Sequence, residues 1–239
     1  MLKEAMNWLK YEFQETEFYE EHGERYSNTS LYKLKEPVRR ELETHSLTGL
    51  VDFLKDDFDK DDKLIVQIMN ERKVFVETQL NKNKEREAVI VALADVPDKT
   101  LNNYMDLEKF NIQLQSLFVE TDTQRKILSI IGNLKTENVK NVGDNGTTQL
   151  VETKKGVTMA QEEVVPNPVE LKPFRTFTEI PQPESMFVFR LREFHDGAQA
   201  ALYEADGGAW RNQARLNIKS YLEEELKSDI KEGRILLIG

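Results

Sequence analysis

Asp61 or Asp62 followed by Glu71, Arg72 and Lys73 has the outline of the Asp…Glu-x-Lys arrangement with which metal-dependent nucleases hold a divalent ion. Such an ion needs its carboxylate oxygens within about 2–2.6 Å. Read as a strand, the intervening Lys63–Met69 run advances ~3.3 Å per residue and holds its two ends roughly 23 Å apart, so they cannot share a metal. Asp56, Asp57, Asp59, Asp61 and Asp62 form an acidic run. A calcium loop of the EF-hand kind needs alternating ligands, a central Gly and a terminal Glu, and that register is missing, so a solvated loop is expected. His22, His45 and His195 show no HxH or HxxxH spacing, and no GxSxG elbow accompanies them. The chain has no cysteine, which excludes disulfides, thiolate zinc sites and a cysteine nucleophile. The expectation is a protein without catalytic residues, metal or cofactor.

The cations offer a second chemistry. Asp206–Gly207–Gly208 leads from a strand into a helix bearing Arg211 and Arg215, and the free N–H groups of a helix start bind anions. A phosphate contact at Gly207 and Gly208 is one reading; an ordinary strand-to-helix turn is the other. Lys172, Arg175, Arg190, Arg192, Arg211 and Arg215 gather in the C-terminal third with Phe174 and Phe177. Together they suit a basic, stacking surface for single-stranded nucleic acid, or else a solvated sheet face over buried aromatics. At the N-terminus, Leu2, Met6, Leu9 and Phe13 recur at helical spacing, with Trp8 and Tyr11 widening the stripe. That pattern is a docking helix for a partner or sister subunit, or a helix folded onto its own core.

These residues need elements to position them. The spacing predicts an acidic amphipathic helix from residue 2 that Gly23 breaks, then two short extended pieces at 25–26 and 31–35 around Ser27–Ser30. Ser46 or Thr44 caps a short helix carrying Leu47, Leu50, Val51 and Leu54. Three β-rich runs make an antiparallel meander at 64–94, and Asp106 opens a helical stretch in which Asp122 caps a second helix or a bend. Strand signal returns at 137–142, 147–153 and 157–163, and prolines punctuate 166–183. Met186–Arg192 alternates and pairs with Ala200–Ala205, before a long amphipathic helix from Trp210 to Leu226 and a strand-like tail at 235–238. The expected fold class is α+β, built from antiparallel hairpins with interspersed helices. An N-terminal arm at 1–24 precedes a body at 25–239 with possible sub-halves 25–105 and 106–239. No segment has the h-region of a signal peptide or the roughly 20 apolar residues of a membrane span, so no membrane association is expected.

The downstream half carries a family resemblance. A helix ending in TDTQRKILSIIGNLKTENVKNV is followed by a GDNG hairpin with TTQLVETKKG, then VVPNPVELKPF, then FVFRLREFHDG and ALYE before the terminal helix. Upstream, LETHSLTGLVDFLKDDFD precedes the meander. This order resembles the YfdQ-like family of phage and prophage proteins over most of residues 31–228, although the Trp-x-Asp-His-Arg block frequent in that family is missing between the meander and residue 106. The resemblance implies a temperate-phage early-region protein in the cytoplasm of a bacterial host, without active residues to carry over. The leading expectation is a homo-oligomeric accessory protein that binds a host or phage protein and modulates host machinery or defence. The alternatives are a single-stranded nucleic-acid-binding accessory of recombination or replication, and a shell-like assembly of phage-capsid type. The latter rests on the order of an N-terminal arm, a β excursion at 64–94 and a long helix at 106–133.

The formal charge is −10, from 33 basic and 43 acidic residues. Residues 1–24 hold seven Glu against two Lys, and 52–62 hold six Asp against two Lys. Nearly all the excess acidity lies in those two segments, so bulk charge excludes little about the C-terminal half.

Overall fold

A computed structural model describes residues 2–12, 15–30, 39–56, 63–136, 138–144, 149–154, 161–194 and 197–239. The chain divides into two compact units, Met1–Val38 and Arg39–Gly239. The fold class is α+β.

In the first unit, helix α1 (Leu2–Glu12) is followed by strands β1 (Phe18–Glu21) and β2 (Glu24–Ser27). The helix stops well before Gly23, which forms a hairpin turn instead of a helix terminus. His22 and Gly23 both take positive φ, 56° and 80°, as a two-residue turn of the twist-matching type requires. Tyr19 therefore pairs with Tyr26. Asn28 closes the open end, its Oδ1 accepting from the Glu17 N–H at 3.0 Å. The hairpin thus forms one step earlier than the extended pieces expected around Ser27–Ser30; residues 31–38 lie outside those described.

The second unit holds two hydrophobic cores. Its first stretch runs β3 (Leu42–Thr44), α2 (Leu47–Asp56), β4 (Leu64–Asn70), β5 (Lys73–Thr78) and β6 (Ala88–Leu93). The middle comprises β7 (Met105–Asp106), α3 (Leu107–Ser116), α4 (Asp122–Thr136), β8 (Asn138–Asp144), β9 (Gln149–Lys154), β10 (Gln161–Val165), β11 (Val169–Leu171), β12 (Ser185–Phe194) and β13 (Gly197–Glu204). The last stretch is α5 (Ala209–Glu225), α6 (Lys227–Lys231) and β14 (Ile235–Ile238).

The meander β4–β5–β6 forms as its alternation dictates, and the Asn70 side chain accepts from the Arg72 N–H at 2.8 Å to fix its first turn. Two distant strands extend it into a five-stranded sheet, and both pair in parallel, β14 with β4 and β3 with β6. Ser46 caps α2 through the Gly49 N–H at 3.0 Å. The apolar side of α2 and the stripe Ile218, Leu222 and Leu226 join Val66, Val76 and Ile90 in the first core.

The second core lies under the sheet β11–β12–β13–β7. Phe187, Phe189 and Leu191 point inward from β12 and meet Phe110 and Leu114 of α3 and Ile127 and Ile131 of α4. Helices α3 and α4 are separate, with Phe118 bridged to Pro173 between them, so the structure takes the two-helix form of the stretch expected from Asp106, and the long helix at 106–133 of the capsid-type alternative is a packed pair. Asp106 caps α3 through the Lys109 N–H at 2.9 Å. Asp122 is the first residue of α4; the cap is Thr121, whose hydroxyl accepts from the Gln124 N–H at 3.1 Å. Strands β8, β9 and β10 form a third sheet, and its buried Gln149 makes two hydrogen bonds, of 2.8 and 3.0 Å, to the backbone of Leu191.

Candidate functional surfaces

The cations of the C-terminal third separate into two settings. Arg175 is buried, with 2% of its side chain exposed. Its Nη1 donates to Glu204 at 3.0 Å, and its Nη2 donates to the Ser185 hydroxyl and more weakly to the Pro183 carbonyl. The guanidinium lies 3.9 Å from the centroid of the Trp210 ring. Burial pushes Arg175 down to about 10 against the pull of Glu204 and Asp206, so it remains a cation at neutral pH. Its Nε and the Trp210 Nε1 are buried without a hydrogen-bond partner. Phe177, from the same stretch, lies in the first core and offers no stacking face, while Phe174 is half-buried.

Ser185 passes the network on, donating to Asp206 at 2.6 Å. Asp206 in turn accepts from the Gly208 N–H at 3.0 Å and the Trp210 N–H at 3.3 Å. Burial acts to raise its carboxyl, but these donors and the Arg175 charge outweigh that and hold it below the usual carboxylate range. The anion that the start of α5 attracts is therefore the protein's own carboxylate. Gly207 and Gly208 serve the turn, with φ of 61° and 83°. Arg211 stacks on Trp210 at 4.9 Å and pairs with Glu71 at 3.7 Å, and Arg215 folds back to the Arg211 carbonyl. Beside this network is a cleft of about 620 Å³ walled by Glu170, Glu184, Asp206 and Lys172, the lysine paired to Glu184 at 2.6 Å. Three carboxylates against one ammonium make it a poor phosphate site.

Arg190 and Arg192 occupy the other setting, the outer face of β12, opposite Ala201 and Gln199. Arg192 is exposed and lies 4.0 Å from the centroid of the Tyr104 ring. Its Nε and Nη2 both donate to Gln199 Oε1, at 2.9 and 2.7 Å. Tyr104 meets Tyr203 edge to face at 6.2 Å. Sequence reasoning found the arginines and missed the tyrosines, because Tyr104 precedes β7, far from β12 along the chain.

The apolar residues of α1 are exposed: Leu2 by 81%, Met6 by 55% and Leu9 by 47%, with Trp8 alongside. Phe13 lies outside the described residues, as do Asp57 to Asp62 and His195. Among the described residues no group of three or more His, Asp or Glu is placed to hold a metal ion, and no helix is long and apolar enough to cross a membrane. Comparison with protein-family models, curated proteins and solved structures finds no match for the chain.

Proposed function

We propose that the protein is a non-catalytic assembly protein that self-associates through its N-terminal unit. The observation carrying this is the exposed stripe of Leu2, Met6 and Leu9 on an 11-residue helix. Isolated helices below about 12–15 residues are marginal in water, so packing of that stripe is what α1 needs. The occupant is the α1 of a second copy. The helix carries Lys3 and Lys10 against Glu4 and Glu12, so two copies meet without net repulsion, and a two-fold contact is self-complementary by construction. The Glu excess of the arm lies outside the helix, on the hairpin and the linker before it. Burying Leu2, Met6, Trp8 and Leu9 contributes about 1.5–3 kcal/mol each. That is of the order of the association cost of roughly 4–15 kcal/mol, so the contact also takes the exposed Tyr19 and Tyr26, which share one face of the hairpin.

On the resemblance to YfdQ-like proteins, we propose that this assembly acts in the cytoplasm of a bacterium carrying a temperate phage, where it binds a host or phage protein and modulates host machinery or defence. Light scattering coupled to size exclusion tests the self-association. A dimer mass that falls to the monomer on Leu9→Asp supports it. A monomer at all concentrations, or an oligomer unchanged by Leu9→Asp and by removal of residues 2–12, overturns the role of the helix; shell-like particles in electron micrographs would favour the capsid-type alternative.

A further inference from the structure

The cleft beside the Arg175 network presents acceptors where its donors are engaged, and we propose that it binds an organic cation, an ammonium or guanidinium on an alkyl stem, with the charge seated at Glu170 and Glu184. Binding there requires no self-association. At about 620 Å³ the cleft falls within the roughly 300–1,000 Å³ that holds small ligands, and it is larger than a bare metal ion fills. Strand register builds its charged side. Glu170 lies opposite Met186 across the pair of β11 and β12, and Leu171 opposite Ser185, so Glu170 and Lys172 share one face with Glu184 and Met186. The two carboxylates come within hydrogen-bonding reach of each other. Side by side, they favour a cation between them.

The groups that could oppose a cation are engaged within the wall. Lys172 pairs with Glu184 at 2.6 Å. The Ser185 hydroxyl donates to Asp206 at 2.6 Å, the Gln182 amide to the Phe177 carbonyl at 2.8 Å and the Asn217 amide to the Pro181 carbonyl at 2.9 Å. Gln213 donates to Asn217 Oδ1 at 2.9 Å, which leaves its own Oε1 as an acceptor. Asp206 is answered by Arg175 and Glu184 by Lys172, whereas Glu170 has no cationic partner among the described residues. Met186, 38% exposed, and Pro181 add apolar wall for the stem. Among the described residues no group of three or more His, Asp or Glu is placed to hold a metal ion, which favours an organic cation here over a metal.

The test is equilibrium dialysis of the full chain against labelled agmatine, which carries a guanidinium and an ammonium on one stem, at about 20 mM salt. Saturable binding with a Kd below about 1 mM is expected. Glu170→Gln, an isosteric change at an exposed position, should weaken it about fivefold or more. Lys172→Ala removes the competing ammonium and should tighten it about twofold or more, a gain that a merely structural role would not produce. Displacement of agmatine by a blocked peptide with one central arginine makes a basic segment of another protein the source of the cation; retention against that peptide makes it a free amine. No saturable binding, weaker binding in Lys172→Ala, or unchanged affinity in Glu170→Gln, the mark of diffuse attraction to an acidic chain, would overturn the proposal.

Discussion

Arg175 and Arg192 place a guanidinium over an aromatic ring at nearly the same distance, 3.9 and 4.0 Å, yet in opposite surroundings. Around Arg175 every neighbour is buried or half-buried, and its hydrogen bonds reach Glu204, Ser185 and Pro183. Through Thr176, whose hydroxyl donates to the Glu71 carbonyl, and Phe177, the same segment enters the first core, while Phe187 beside Arg175 belongs to the second. Arg175 is thus a joint between the cores, and its charge is spent internally. Arg192 is exposed at the surface, where its guanidinium donates to Gln199 and lies over the Tyr104 ring. Identical pair chemistry acquires different roles from desolvation alone.

The comparison can be broken most decisively at Arg175. Arg175→Met should destabilise the protein by about 3–5 kcal/mol in urea unfolding, because Glu204 is left without its buried counter-charge. A loss similar to that of a surface arginine would show that the joint carries no load. Ser185→Ala removes the hydroxyl that links Arg175 to Asp206 and should cost about 1–3 kcal/mol in the same measurement.

Acid titration sharpens the same contrast. Because the folded Asp206 carboxyl lies below its unfolded value of 3.8, its contribution is fully present above that value and is lost as pH falls through the folded pKa. Asp206→Asn should therefore be less stable than the wild type at neutral pH, with a difference that shrinks below about pH 4. An equal gap at pH 7 and pH 3 would contradict it.

Gly208→Ala should cost about 1 kcal/mol. Its φ is 83°, and the new methyl would lie 2.5 Å from the Arg211 Nη1, the movable end of a long side chain, so backbone strain sets most of the cost. Arg192→Ala should stay within about 0.5 kcal/mol in thermal melts, as an exposed position implies.

Much of the architecture was legible in the sequence because periodicity records burial. Alternation at 64–78 and at 187–191, and the Ile218–Leu222–Leu226 spacing, are direct imprints of one-sided packing. The parallel edge strands were not legible: a four-residue run such as Ile235–Ile238 says nothing about which distant strand it joins or in which direction. The helix after residue 2 read too long because Glu15, Glu17 and Phe18 suit a helix as well as a strand. His22 and Gly23 decide for the hairpin by accepting positive φ. At the candidate surface, cation type could be read but burial could not, so Arg175 and Arg192 looked equivalent.

The two cores are nested along the chain. The second draws on residues between Leu107 and Leu202, whereas the first begins at Leu47 and is completed by Ile218, Leu222, Leu226 and Ile235. During synthesis the inner core can close while the ribosome is still adding residues. The outer one can pack α2 on the meander early but stays incomplete until α5 and β14 emerge, since loop closure over such a span precedes any contact that rewards it. The meander consequently keeps part of its apolar face uncovered until the C-terminal helix arrives.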